Sequence, residues 1–154
     1  MSTAHACHAG NCGLNISDNG LDLIKRHEGL RLEAYQDSVG VWTIGYGHTA
    51  GVKEGDTCTE DEANAYLRED AKSAERCVNS CVAVPLTQNE FDALCSFAFN
   101  LGCTSLRNST LLRKLNDSDF DGAAAEFQKW NHAGGKVLAG LTKRREDEAQ
   151  LFEA

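Results

Sequence analysis

Two carboxylates and a hydroxyl, Glu28, Asp37 and Thr43, stand close together early in a chain of 154 residues. Leu21, Ile24 and Glu28 recur at i, i+3 and i+7, which puts them on one face of a helix that Gly29 would end. A carboxyl at the edge of an apolar face is partly desolvated, and desolvation favours the neutral form that a general acid needs. Asp37 lies in the turn signal Asp37-Ser38-Val39-Gly40, a polar place where a carboxylate stays ionised. Each residue also has a plainer reading. A Glu can fray at a helix end, an Asp can bond its own turn backbone, and a Thr simply suits a strand.

The surrounding elements decide whether these groups can meet. Trp42, Ile44 and Tyr46 alternate with Val41, Thr43 and Gly45 in strand fashion, so residues 32 to 49 predict a small hairpin, with the Thr43 hydroxyl on the face opposite Trp42 and Ile44. Thr59 with Glu62 is a capping box opening a long helix to about Ser80. Ala63, Tyr66, Leu67, Asp70 and Ala74 line one face of it. The inward-facing Asp70 needs a partner to offset its desolvation, and His48 is the obvious one. After Pro85, Thr87 with Glu90 opens a helix apolar nearly all round, from Phe91 to Leu101, which Gly102 stops. Further helices are expected around Leu111, Leu112 and Leu115, around Phe120, Ala123, Ala124 and Phe127, and around Leu141, Ala149 and Phe152, with Gly134-Gly135 as a turn before the last. The expected fold is α+β and mostly helical: two lobes, the smaller carrying an antiparallel β-hairpin, joined by the long helix, with a cleft between them. The domain spans 17–154, and residues 1–16 read as an extension tethered, if at all, by disulfides.

Bulk properties narrow the function classes. With 42% hydrophobic and 25% charged residues the chain reads as one globular domain, and a net charge of -8 argues against nucleic acid as a partner. The basic run Lys143-Arg144-Arg145, followed by Glu146-Asp147-Glu148, reads as a solvated helix face with local pairs. No stretch reaches the ~20 apolar residues of a membrane helix, and the first fifteen residues lack a signal peptide's apolar centre. Export would then need a separate membrane pore or a lost leader. Seven cysteines suggest an oxidising compartment, and the odd count leaves at least one thiol free, for which buried-looking Cys95 is the candidate. Cys7, Cys12, Cys58, Cys77, Cys81 and Cys103 could form up to three bridges of open connectivity. Cys7 and Cys12 with His5 and His8 are a metal alternative, but the spacing matches no standard zinc pattern, and no metal or cofactor is expected. A monomer is expected.

The segment from His27-Glu28-Gly29 to Tyr46-Gly47-His48-Thr49 resembles the active-site stretch of the phage-type lysozymes, a glycoside hydrolase family. That family's pattern is Glu, eight residues, Asp, five residues, Thr, and Glu28, Asp37 and Thr43 keep both spacings. Thr43-Ile44-Gly45-Tyr46-Gly47-His48 completes its T-I-G-x-G-H run. The likeness extends from about Ser17 to Phe152, including Pro85 to Asn89 and Phe99 to Gly102. It implies a muramidase cutting peptidoglycan glycan strands, in which Glu28 protonates the glycosidic oxygen while Asp37 and Thr43 hold the attacking water. Such inverting chemistry needs carboxyls roughly 6.5 to 9.5 Å apart. The resemblance further implies sugar contacts at Phe99 and Asn100, and a structural His48–Asp70 ion pair. Core packing is the alternative for Phe99. Rival activities are a lytic transglycosylase working with Glu28 alone, and a silent glycan-binding or membrane-disrupting protein that keeps the fold.

Overall fold

The computed structural model describes residues 13–154, so Cys7, Cys12, His5 and His8 lie outside the described residues. Helix α1 (Asp18–Glu28) starts at the cap Ser17 and stops at Gly29, whose N–H reaches Lys25 O at a positive φ of 75°. Strands β1 (Arg31–Gln36) and β2 (Trp42–Gly45) pair antiparallel, with Tyr35 opposite Thr43 and a register shift between Arg31 and Tyr35. A bridge from Glu33 to Thr57 adds the returning chain to the hairpin's edge. Both expected capping boxes are present, Thr59–Glu62 opening α2 (Glu60–Cys81) and Thr87–Glu90 opening α3 (Gln88–Leu101). Then follow α4 (Cys103–Arg107), α5 (Thr110–Asn116), α6 (Phe120–Glu126) with a 3₁₀ turn to Lys129, strands β3 (His132–Ala133) and β4 (Lys136–Val137), and α7 (Ala139–Glu153).

Two buried clusters divide the molecule as expected. Leu21, Ile24, Ile44, Tyr46, Ala63, Leu67 and Ala71 form the core of the hairpin lobe. Phe91, Leu94, Phe97, Leu111, Leu115, Phe127 and Phe152 belong to the larger core around α3. Helix α2 serves both, since Ala74, Cys77 and Val78, further along it, belong to the larger cluster. Within the hairpin lobe, Gly45 packs on α2. A Cβ there would stand 3.2 Å from that of Ala63.

Several local readings change. Arg144 and Arg145 are buried, 4% and 0% exposed, because α7 packs its basic run against α1 and α3 rather than turning it to solvent. Only Lys143 of the three is solvated. The Gly134-Gly135 turn belongs to a second hairpin, β3–β4, in which both glycines take the positive φ that a tight two-residue loop demands. Helix α3 is not wholly apolar inside: buried Asp92 accepts hydrogen bonds from Ser17 N and Gln88 Nε2, and one from the Ser17 hydroxyl, tying the start of α1 to α3.

Of the cysteines, Cys77 and Cys103 form a disulfide from α2 to α4. Cys95 is free and fully buried, as expected, but Cys58 and Cys81 also carry free thiols. Residues 14 to 16 are held by side chains of α2 and α3: Ile16 N donates to Glu75 Oε2 at 2.7 Å, Asn79 Nδ2 to Leu14 O and Gln88 Nε2 to Asn15 O, each at 2.9 Å. Among the described residues no helix is long and apolar enough to cross a membrane.

Candidate active site

Glu28 is the last residue of α1, and the break at Gly29 leaves its side chain at the mouth between the lobes. Its carboxylate is 23% exposed and accepts a hydrogen bond from Arg144 Nη1 on α7 at 2.9 Å. Gly47, with φ of 85°, closes over its other side, where an added Cβ would stand 2.9 Å from Oε1. The two glycines flanking Tyr46 both take a positive φ, 66° and 85°, that disfavours a side chain, and an added Cβ would press on Ala63 of α2 at Gly45 and on the carboxylate at Gly47. A hollow of ≈ 350 Å³ opens beside this group, lined by His27, Glu28, Asn100, Leu138 and Arg144 among others. His27 is itself held by Asp147 at 2.8 Å. Burial pushes the Asp147 carboxyl up, but hydrogen bonds from Lys143 and His27 outweigh it and bring it below its ordinary value.

Asp37 and Thr43 are joined through one residue of the hairpin. Val41 N donates to Asp37 Oδ1 at 2.8 Å, Asp37 N donates to Val41 O at 2.9 Å, and the Thr43 hydroxyl donates to that same carbonyl at 2.9 Å. Val39 N also donates to Asp37 Oδ1 at 3.0 Å. The turn-bonding and catalytic readings of Asp37 are thus compatible, because the backbone takes Oδ1 and leaves Oδ2. Thr43 is buried and has given its one proton to Val41, so its hydroxyl oxygen is left as an acceptor.

His48 and Asp70 meet as expected, Nδ1 to Oδ2 at 2.8 Å, fastening the hairpin lobe to α2. The imidazole also stacks on Tyr66, with centroids 4.2 Å apart. Asp70, Gly47 and Phe99 line a second hollow of ≈ 330 Å³ on this side of the mouth. Phe99 is half-buried and packs against both cores, so its ring is at once a core and a cleft residue. Asn100 lines the Glu28 hollow instead. A larger hollow of ≈ 700 Å³, between α1 and α7, holds none of the sequence-derived candidates.

Sequence reasoning missed the group that holds the acid. Arg144, Arg145 and Glu148 on α7 and Ser96 on α3 form one buried polar cluster. Ser96 Oγ donates to Glu148 Oε2 at 2.6 Å, Arg144 Nε lies 3.4 Å from that oxygen, and Arg145 Nε lies 2.9 Å from Oε1. Burial pushes the Glu148 carboxyl up against the pull of the two guanidinia, Arg145's first. The available signal was spacing: Glu148 stands at i+4 from Arg144 and i+3 from Arg145, so a buried α7 face would carry all three together.

The Phage lysozyme family profile matches residues 25–148, a span that holds Glu28, Asp37, Thr43, His48 and both arginines. The chain belongs to the phage lysozyme family. It is 52% identical over 145 residues to an endolysin of Acyrthosiphon pisum secondary endosymbiont phage 1, covering 92% of this chain and 99% of that one. Among solved structures, a point mutant of P22 lysozyme superposes with a TM-score of 0.85 at 42% identity, covering 92% of this chain and 99% of that one. The muramidase domain of SpmX from Asticaccaulis excentricus superposes with a TM-score of 0.86 at 43% identity, over 91% and 98% of the two chains. As a phage lysozyme the chain is a glycoside hydrolase, and peptidoglycan is the polymer on which the family acts.

Proposed function

We propose that the chain hydrolyses the β-1,4 bond between N-acetylmuramic acid and N-acetylglucosamine with inversion, Glu28 giving the proton and Asp37 with Thr43 holding the water. The observation that carries this reading is the pair of acceptors left free around Val41. Asp37 Oδ2 and the Thr43 hydroxyl oxygen each lack a proton to give, so a water between them donates both its hydrogens and turns a lone pair outward. That lone pair attacks the anomeric carbon from one face, and Asp37 takes the proton released. Glu28 protonates the departing glycosidic oxygen on the opposite face, so the configuration inverts. The hollow lined by Glu28 and Asn100 and the hollow lined by Gly47 and Phe99 supply the groove, with Asn100 and Phe99 as sugar contacts. Every group needed comes from one chain, which supports a working monomer.

General-acid catalysis is worth on the order of 10²–10⁴ in rate, so Glu28→Gln should lose at least that much lytic activity on purified peptidoglycan while melting as a folded protein. NMR of the first-formed product should show the inverted anomer. An anhydro product would instead indicate a transglycosylase, and equal lysis by wild type and variant would indicate a non-enzymatic agent.

A further inference from the structure

Arg144 and Arg145 are both buried, and only Arg144 lines the hollow beside Glu28. Consecutive residues of a helix point about 100° apart, and these two long side chains diverge accordingly. Arg144 Nη1 goes to Glu28 Oε2 at 2.9 Å, and Arg145 Nη2 goes to Asn100 Oδ1 at 2.7 Å. What they share is Glu148. It is 0% exposed, one helical turn on, and its carboxylate lies within ion-pair reach of both guanidinia. Ser96 fixes it from α3, and the Arg145 guanidinium lies 5.3 Å over the Phe97 ring.

The Arg145–Asn100 contact has a consequence for Asn100. A guanidinium only donates, so the oxygen of the Asn100 amide must face Arg145 and its NH₂ group must face away. Asn100 also lines the hollow shared with Glu28. Asn100 therefore meets a ligand as a donor, matched to an acetamido carbonyl or ring-hydroxyl oxygen of a glycan.

A stabilising role alone accounts poorly for this cluster. Two guanidinia face one wholly buried carboxylate, and Arg145 Nη1 is buried without a hydrogen-bond partner among the described residues. Such groups generally cost more than a packed apolar replacement. Resting on the reading above, we propose that Glu148 is a positioning residue: through Arg144 it sets the carboxyl of Glu28, and through Arg145 it turns the Asn100 amide so that its NH₂ meets the glycan.

The test uses soluble peptidoglycan fragments, with kcat and KM measured for Glu148→Gln, Asn100→Ala and the double variant. Glu148→Gln should lower kcat on the order of 10²-fold, as a displaced acid does. It should also raise KM roughly fivefold to tenfold, the value of one hydrogen bond. Asn100→Ala should raise KM by a similar factor. In the double variant Glu148→Gln should lower kcat again but add nothing to KM, a split that general loosening of the fold would not produce. Should Glu148→Gln fail to fold, Arg145→Lys keeps the charge facing Glu148 and loses the fork that reaches Asn100. It should raise KM in the wild-type background and not in Asn100→Ala. The proposal falls if the KM effects of Glu148→Gln, or of Arg145→Lys, add to that of Asn100→Ala, or if folded Glu148→Gln keeps wild-type kcat and KM. Loss of activity in Glu28→Gln beside a normal Glu148→Gln would reject this proposal alone, whereas an active Glu28→Gln would reject the catalytic reading beneath it.

Discussion

Gly47 and Glu28 share one small space. A methyl group on Gly47 would stand 2.9 Å from Glu28 Oε1 and 3.5 Å from its carboxyl carbon. The end of a Glu side chain can swing away at little energetic cost, so the penalty would fall on where that carboxylate sits rather than on packing.

Gly47→Ala should therefore cost stability mainly through its positive φ, about 1–2 kcal/mol, while activity falls roughly tenfold to a hundredfold. Gly45→Ala presses on Ala63 and not on the acid, so it should show the reverse balance, with stability hurt more than turnover. Melting temperatures beside lysis rates for the two variants check the contrast.

Asp70→Asn removes the charge from the bond that fastens the hairpin lobe to α2 at 2.8 Å. Both side chains are partly solvated, so the expected loss is about 1–2 kcal/mol rather than that of a buried pair. The stack of His48 on Tyr66 remains. Urea unfolding should register the change as a lower midpoint.

Glu126, buried at the end of α6, accepts hydrogen bonds from Lys129 Nζ at 2.8 Å and Lys114 Nζ at 2.9 Å. These bonds, Lys129's first, hold its carboxyl below the ordinary 4.5 against the opposing effect of burial. With the folded value lowered, the unfolded chain binds the proton first as pH falls. The contribution of Glu126 is complete above 4.5 and disappears as pH drops through the folded value. Glu126→Gln should be less stable at neutral pH and lose less of its remaining stability on acidification. Melting temperatures taken from neutral pH down to about pH 3 test the sign.

The Cys77–Cys103 bridge spans 26 residues of sequence. Loop-closure entropy for that span is about 3.5 kcal/mol in favour of the folded state. Cys103→Ser, or reduction of the wild type, should lower stability by about that amount in denaturant titrations.

Local signals in the sequence carried far. The glycine stops at Gly29 and Gly102 and the two capping boxes depend on residues a turn apart, and they set the helix ends that frame the mouth. The pairing of Asp70 with His48 followed from one acid on an apolar face. What stayed hidden depends on distant packing. Lys143-Arg144-Arg145 beside Glu146-Asp147-Glu148 has the composition of a solvated face, and only the seating of α7 on α1 and α3 buries Arg144, Arg145 and Glu148. The strands of the second hairpin are two residues long, too short to show alternation, so only its glycines were visible. Asn100 was recognisable as a candidate. Its orientation was not, because that is dictated by Arg145, 45 residues away.

The partner of Glu28 comes from the last helix, 116 residues further along the chain. A ribosome completes Glu28 long before it completes the arginine that holds its carboxylate. A chain cut short ahead of α7 would carry the acid with nothing to aim it. The placing of that carboxylate therefore waits on the seating of α7, the element that supplies Arg144.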